Sequence, residues 1–246
     1  MGQIAIISIA LVAQMALFQN NLMAQADLQV YVVGSKNWSD ESIDAQGNVH
    51  YAVPIIARKI LERANVPYTF ESLPWARAFQ LGLKKKNVLV VGIARTVKRE
   101  DLFLWVGQIT ESVPVYFFKL KSNPMTLNSL DEVKEYTVMT ERATNYQEFL
   151  EFKGFTNIEL VSEPRVAVKM LEKKRHPLII LKEVQFLELV DALEIDPALF
   201  EKALFAFDAS EYLAFNKDTS PMLVERLRSS YESLLKEGQI SRALNR

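Results

Sequence analysis

The sequence predicts an α/β fold made of two successive units, each a mostly parallel sheet flanked by helices. First, residues 28–93 read as strand, helix, strand, helix and strand, and they end in the apolar run Val88–Ile93, which is typical of a buried parallel strand. Second, the alternation of strands and helices resumes after an extended, aromatic-rich stretch over residues 102–118. Third, a long amphipathic helix is predicted from Pro221 onward. Two such units enclose a cleft, which is a natural site for a small molecule.

Composition supports a folded chain and excludes several kinds of function. Of the 246 residues, 49% are apolar and 24% are charged, which excludes an intrinsically disordered chain. The 29 basic and 30 acidic residues give a formal net charge of −1, so a strongly basic nucleic-acid-binding protein is excluded. The chain has no cysteine, which excludes disulfides, iron–sulfur clusters and thiolate nucleophiles. We expect neither His50 nor His176 to bind a metal, and we expect no cofactor.

The first 26 residues predict a signal peptide. They contain no charged side chain, and Ile4–Phe18 is apolar apart from two polar residues. This run is short for a membrane span and suits a signal peptide, and Ala24-Gln25-Ala26 fits its cleavage pattern. No lysine or arginine precedes the run, which departs from the usual pattern, and a buried N-terminal helix is the alternative. We expect cleavage after Ala26 and a periplasmic location.

In the first unit, proline positions help to place the helices. Pro54 is tolerated in a first helical turn, and Pro74 introduces the helix that starts at Trp75. Apolar runs and alternating residues predict the strands between them. The predicted elements are strands at 28–34, 68–73 and 88–93 and helices at 51–64 and 75–83.

In the second unit, two capping boxes predict helix starts. Ser129 is followed three residues later by Glu132, and Thr144 by Gln147. Further helices are predicted at 163–174 and 183–193, and strands at 136–140, 157–161, 178–181, 204–207 and 212–216. The last helix is capped by Ser220 and presents Leu223, Leu227, Tyr231 and Leu234 on one face.

Several short stretches, in their order and spacing, resemble one known family. They are Leu73-Pro74-Trp75-Ala76-Arg77-Ala78, Arg95–Asp101, Phe103–Gly107, Tyr212–Lys217 and Lys236-Glu237-Gly238. Through these stretches, the chain resembles the family 3 extracellular solute-binding proteins of amino-acid ABC uptake systems. The resemblance implies a two-lobed periplasmic binding protein fold of type II that closes on a small solute about a hinge. Lobe one would comprise residues 27–118 and 206–246, and lobe two residues 119–205.

The resemblance also implies binding residues in the loop after the third strand. Arg99 matches the arginine that grips the ligand carboxylate, and a guanidinium can bind a carboxylate through two hydrogen bonds. Thr96 offers a hydroxyl in the same loop, and Arg95 stands where a small or apolar residue is usual. The alternative for Arg99 is a surface arginine beside Glu100 and Asp101.

Two tryptophans and two further arginines are candidate ligand residues. Trp75 and Arg77 form a Pro-Trp-x-Arg element that could line one cleft wall, or instead supply a core tryptophan and an ion-paired arginine. Trp38 lies in a polar loop where family members offer an aromatic ring. Arg142 and Thr144 lie at a helix start, where free N–H groups favour a carboxylate, although Thr144 could simply cap the helix.

The sequence departs from the family where an aspartate usually pairs with the ligand ammonium. Lys182 falls at that position, and a lysine cannot pair with an ammonium group. The neighbouring Glu183 could do so only if the register shifted by one residue. With Arg77, Arg99 and Arg142, Lys182 would make a positive cleft, which favours an anionic or dicarboxylic ligand.

The leading interpretation is therefore a non-enzymatic solute-binding protein. Its expected partners are a small solute and the membrane permease of an ABC transporter, without nucleic acid, and a monomer is expected. One alternative is a sensory or degenerate binding protein that signals to a membrane partner. Another is a dehydratase-like periplasmic enzyme that would need Glu141 or Glu183 as general acid or base.

Overall fold

The computed structural model describes residues 30–35 and 52–240. The predicted signal peptide, Trp38 and His50 lie outside these residues. Within these residues, no helix is both long enough and apolar enough to cross a membrane.

The first sheet contains five strands in the order β2-β1-β3-β10-β4. Strand β1 pairs in parallel with β2 and β3, whereas β10 runs antiparallel to both β3 and β4. Two of its four pairings are parallel and two are antiparallel, so the sheet is mixed, although four of its five strands run in the same direction. Its elements are β1 (Val30–Ser35), α1 (Ala52–Arg63), β2 (Tyr68–Leu73), α2 (Trp75–Lys84), β3 (Val88–Ala94), β4 (Phe103–Gln108), β10 (Glu211–Asn216) and α7 (Pro221–Lys236).

Both faces of the first sheet are covered, which explains why β3 reads as a continuous apolar run. Val88 and Val90 pack on the α2 side, whereas Leu89 and Val91 pack on the side of α1 and α7. All four side chains are fully buried. Successive side chains of a strand point to opposite faces, so a strand buried on both faces must be apolar throughout.

The second sheet also contains five strands, in the order β7-β6-β8-β5-β9. Strand β6 is parallel to β7 and β8, and β5 runs antiparallel to its neighbours β8 and β9. One apolar core fills this lobe, with the rings of Phe118 and Phe186 stacked 4.0 Å apart. Its elements are β5 (Val113–Leu120), α3 (Leu130–Lys134), β6 (Val138–Glu141), α4 (Asn145–Phe152), β7 (Ile158–Val161), α5 (Pro164–Glu172), β8 (Leu178–Lys182), α6 (Glu183–Ala192) and β9 (Phe200–Ala209).

The chain crosses between the sheets twice, through residues 109–112 and through Ser210. We call the first sheet with its helices lobe one, and the second lobe two. The sheet pairing differs from the sequence-based boundaries, because residues 113–118 and 206–209 belong to the second sheet. Strands β5 and β9 pair along their length, from Val113 opposite Ala209 to Leu120 opposite Phe200. The aromatic stretch that reads as one extended segment is thus two strands in different sheets.

Candidate functional site

The two lobes meet where the segment after β3 faces the start of α4. That segment includes a short 3-10 helix, Val97–Leu102. Helix α4 begins after a tight turn in which Ala143 has a positive φ of 62°. The Thr144 oxygen accepts a hydrogen bond from the Gln147 N–H at 3.4 Å, and the Gln147 side chain accepts one from the Ala143 N–H at 2.7 Å. The predicted Thr144 cap therefore forms, and Gln147 reaches one residue further back than in a standard capping box, which fixes the turn at the mouth of the cleft.

Arg99 is the centre of the contact between the lobes. It is fully buried, which excludes the surface alternative. Its Nε donates to Glu148 Oε1 at 2.7 Å, and its two terminal nitrogens donate to the carbonyls of Ala143 at 3.0 Å and Ala94 at 3.4 Å. The guanidinium carbon lies 4.7 Å from the centre of the Phe79 ring. Burial lowers the pKa of Arg99, and the adjacent Glu148 only partly offsets this effect. The guanidinium nevertheless stays protonated, as arginine does in proteins.

Two other predicted residues reach across to the same groups of lobe two. Thr96 Oγ1 donates to Glu148 Oε2 at 2.8 Å. Trp75 Nε1 donates to the Ala143 carbonyl at 2.8 Å. The Glu148 carboxylate and the Ala143 carbonyl each accept two hydrogen bonds from lobe one, so the lobes are closed directly on each other.

Arg95 and Lys182 are each paired with a carboxylate of the chain. Arg95 Nε donates to Glu100 Oε2 at 2.8 Å, and its guanidinium carbon lies 5.2 Å from the Trp105 ring centre. The buried Lys182 of β8 donates to Glu211 of β10, so this ion pair also joins the two lobes.

In the part of the chain that the structure describes, the remaining predicted residues do not contribute hydrogen bonds or ion pairs to the contact between the lobes. Arg77 and Arg142 are both exposed, and neither has an ion pair with another residue of the described ranges. Thr144 Oγ1, which caps the helix by accepting from the Gln147 N–H, also donates to the Glu141 carbonyl at 2.6 Å. The expected cleft of four uncompensated cations does not form, because acids of the opposite lobe neutralise Arg99 and Lys182.

Glu141 is a buried carboxyl at the end of β6. Burial, followed by the nearby charge of Glu163, raises the pKa of Glu141 to about 8. The neighbouring Tyr146 is also buried, which raises its pKa, and its hydroxyl lies 3.2 Å from Gln185 Oε1. Glu183, the other sequence candidate for acid–base chemistry, instead pairs with Lys202 at 2.6 Å.

Sequence reasoning missed Glu148 and Glu211, the two acids that complete the interlobe contacts. A signal for Glu148 existed, because it follows the capping Thr144 by four residues, and this spacing places both on one helix face. Glu211 has no comparable local signal, since its partner Lys182 lies far away in sequence.

A pocket of about 420 Å³ lies beside the Arg99–Glu148 pair. Its volume falls within the range of small-molecule sites. Residues of both lobes and of the second crossing line it: Ala94, Arg95, Thr96, Val97, Lys98, Asn145, Glu148, Phe149, Phe152, Phe207, Asp208, Ala209 and Ser210. Among the residues that the structure describes, no three His, Asp or Glu side chains are grouped so as to hold a metal ion.

Comparison with known proteins finds no relative by sequence but many similar proteins by structure. No protein-family model matches the sequence, and no curated protein sequence is significantly similar to it. The structure, in contrast, is similar to many solved structures. One is a histidine kinase sensor domain with similarity to periplasmic binding proteins. It has a TM-score of 0.73 and 18% identity, and the match covers 86% of this chain and 92% of that domain.

The chain has the fold of periplasmic binding proteins. A mutant of ArgBP from T. maritima matches with a TM-score of 0.71 and 15% identity, over 87% of this chain and 93% of that one. The arginine-, lysine-, histidine-binding protein ArtJ from Geobacillus stearothermophilus matches with a TM-score of 0.69 and 16% identity, over 86% and 91% of the two chains. These matches confirm the two-lobed α/β fold that the sequence predicts.

Proposed function

We propose that this chain is an extracytoplasmic binding protein that captures a small polar solute between its lobes and presents it to a membrane partner. The observation that carries the proposal is the cleft itself, where side chains of both lobes reach across to each other. A solute held there would change the same contacts that hold the lobes closed. The predicted signal peptide supports export, and the similar structures described as binding proteins support a solute as the ligand.

The proposed partner is the permease of an ABC transporter, and the proposed solute is small, polar and amino-acid-like or anionic. Arg77 and Arg142 remain as exposed cations for an anion, whereas Arg99 and Lys182 are paired with acids. A preference for anions therefore depends on the two exposed arginines.

A thermal-shift screen of the chain without its predicted leader tests this function. The panel comprises amino acids, dicarboxylates, amines and small sugars. A solute at 100 times its dissociation constant adds about 2.7 kcal/mol to the free energy of unfolding, which raises the midpoint by roughly 5–10 °C. If the hit is an anion, Arg77→Ala should weaken its binding about tenfold, whereas Arg165→Ala, on the exposed surface of α5, should not. A panel without any selective hit would contradict solute capture.

A sensory role is the second candidate, and one observation favours it. The lobes close on each other through the chain's own side chains, with Glu148 against Arg99 and Glu211 against Lys182. The similarity to a histidine kinase sensor domain fits a protein whose closed form is a signal. Binding of the closed protein to a membrane sensor without any solute would favour this role over transport.

Catalysis is the least favoured role, and we propose that the protein is not an enzyme. A dehydratase-like reaction would depend on Glu141, whose raised pKa suits a general acid. Turnover of a bound solute that is lost in Glu141→Gln would contradict a purely binding role.

A further inference from the structure

Arg99 uses three of its five N–H groups in hydrogen bonds within the chain. Each of its three nitrogens donates to an acceptor: one to Glu148, one to the Ala143 carbonyl and one to the Ala94 carbonyl. Its side chain is almost entirely shielded from solvent, at 1% exposure. Because the guanidinium is shielded in this way, a solute carboxylate could not reach its two remaining N–H groups while the lobes are closed.

Both carboxylate oxygens of Glu148 are engaged by lobe one. One oxygen accepts from Arg99 and the other from the hydroxyl of Thr96, and both donors belong to lobe one. Glu148 lies in the first turn of α4, where the helix dipole favours a negative charge. The carboxylate thus comes from the lobe that faces the arginine.

We propose that Glu148 is a built-in carboxylate that fills the Arg99 site and sets the class of solute the protein accepts. This inference rests on the proposed solute-binding function. A solute that binds while the Arg99–Glu148 pair is intact is an amine or a neutral polar compound, or it carries its carboxylate away from Arg99. Arg99 then acts in closure rather than in solute recognition.

The pocket beside the Arg99–Glu148 pair allows a rescue experiment, in which the Glu148 side chain is deleted and a small free carboxylate is added in its place. Both Thr96 and Glu148 line the pocket of about 420 Å³. Removal of the Glu148 side chain would leave an arginine and a hydroxyl facing a space that a small free carboxylate can enter. Acetate carries the same charged group as the deleted side chain and is the probe.

The experiment compares acetate with chloride at equal ionic strength for several variants. Glu148→Ala should lower the unfolding midpoint by about 10 °C, because a buried arginine loses its counter-ion. Acetate should restore about half of that loss. The wild type should not respond, and neither should Glu148→Gln, in which the amide still fills the site. Glu151→Ala is the matched control, since Glu151 is on the same helix and pairs with Lys98 of lobe one at an exposed position.

Equal responses of all variants to acetate, or a folded Glu148→Ala protein that acetate leaves unchanged, would overturn the proposal. A second measurement on the wild type covers the case in which Glu148→Ala does not fold. The Nε–H resonance of Arg99, assigned by its loss in Arg99→Lys, should be unmoved by saturating acetate. An acetate-dependent shift in the wild type would show that the site is open. Neither result depends on finding the natural solute, so failure of the solute screen is distinguishable from failure of this inference.

Discussion

At the scale of single residues, the sequence predicts the lobe-one side of the contact between the lobes but not its partners in lobe two. The family resemblance implies that Thr96, Arg99 and Trp75 are ligand residues, and all three lie at the contact between the lobes. Their partners in the other lobe are one carboxylate, that of Glu148, and one carbonyl, that of Ala143. A pairing between distant residues depends on how two lobes close, and no local pattern in the chain encodes that geometry.

The raised pKa of Glu141 predicts that the stability of the protein depends on pH. Its folded pKa of about 8 lies above the ordinary value of 4.5, so the native state keeps this proton to a higher pH than the unfolded state does. The unfolded state therefore binds fewer protons between pH 4.5 and 8, and the free energy of unfolding falls as pH rises through this interval. The loss attributable to Glu141 is at most about 5 kcal/mol.

Glu141→Gln should remove this part of the pH dependence, because the amide does not titrate. Urea unfolding from pH 5 to pH 9 measures the effect. The exposed Glu135→Gln should keep the wild-type slope. An unchanged slope in Glu141→Gln would mean that this carboxyl titrates normally in the native state.

Trp75→Phe should loosen the closed form. A smaller aromatic ring remains, but the hydrogen bond from Nε1 to the Ala143 carbonyl is lost, at a cost of about 1 kcal/mol. Trp105→Phe is the matched control, since its Nε1 donates to the Glu100 carbonyl at 3.1 Å within lobe one. Both variants should lose similar stability, but small-angle scattering should show expansion of Trp75→Phe alone. Expansion of both would assign the effect to general destabilisation.

At the scale of elements, capping residues and prolines predicted helix starts well. Ser129 and Thr144 cap helices through hydrogen bonds to the N–H groups three residues later, and Pro221 opens α7 as expected. These signals work because they act within one helical turn. The lobe boundary predicted from the sequence falls after residue 118 rather than between β4 and β5, because both strands are aromatic-rich and extended, and only their hydrogen-bonding partners distinguish them.

The packing of α7 on β4 predicts a penalty at Gly107. A Cβ atom at this position would lie 2.4 Å from Cε1 of the Tyr231 ring. The ring cannot withdraw easily, because the Tyr231 hydroxyl donates to the Gln108 carbonyl at 2.6 Å. Gly107→Ala should therefore cost about 1–3 kcal/mol in urea unfolding. Ser229→Ala, on the exposed side of α7, should change stability little, and an equally stable Gly107→Ala would show that the helix can shift.

At the scale of the whole molecule, closure joins two lobes that are linked by two short crossings. Because the chain has no cysteine, introduced cysteines can be labelled without background. Val97 of lobe one and Phe152 of lobe two line the same pocket, and their side chains are 97% and 78% exposed. Spin labels at these two positions would report the distance between the lobes.

We expect a short, narrow distance distribution for Val97→Cys/Phe152→Cys without solute, because the interlobe contacts are formed by the chain itself. Addition of Glu148→Ala should shift the distribution to longer distances. The pair Val97→Cys/Met222→Cys lies within lobe one and should not respond. A broad distribution in the protein with Glu148 intact would contradict self-closure.

The single-residue crossing at Ser210 has a consequence for how the chain can change in length. The side chains of β9 and β10 point alternately to the two faces of their sheets, so one extra residue at Ser210 would have to exchange the faces of one strand or add a further β-bulge to it. An insertion in the connection at residues 121–129 disturbs no strand register and costs little loop entropy. Related chains should therefore gain and lose residues in that connection but not at the crossing. The crossing is thus a fixed point from which distant sequences can be aligned.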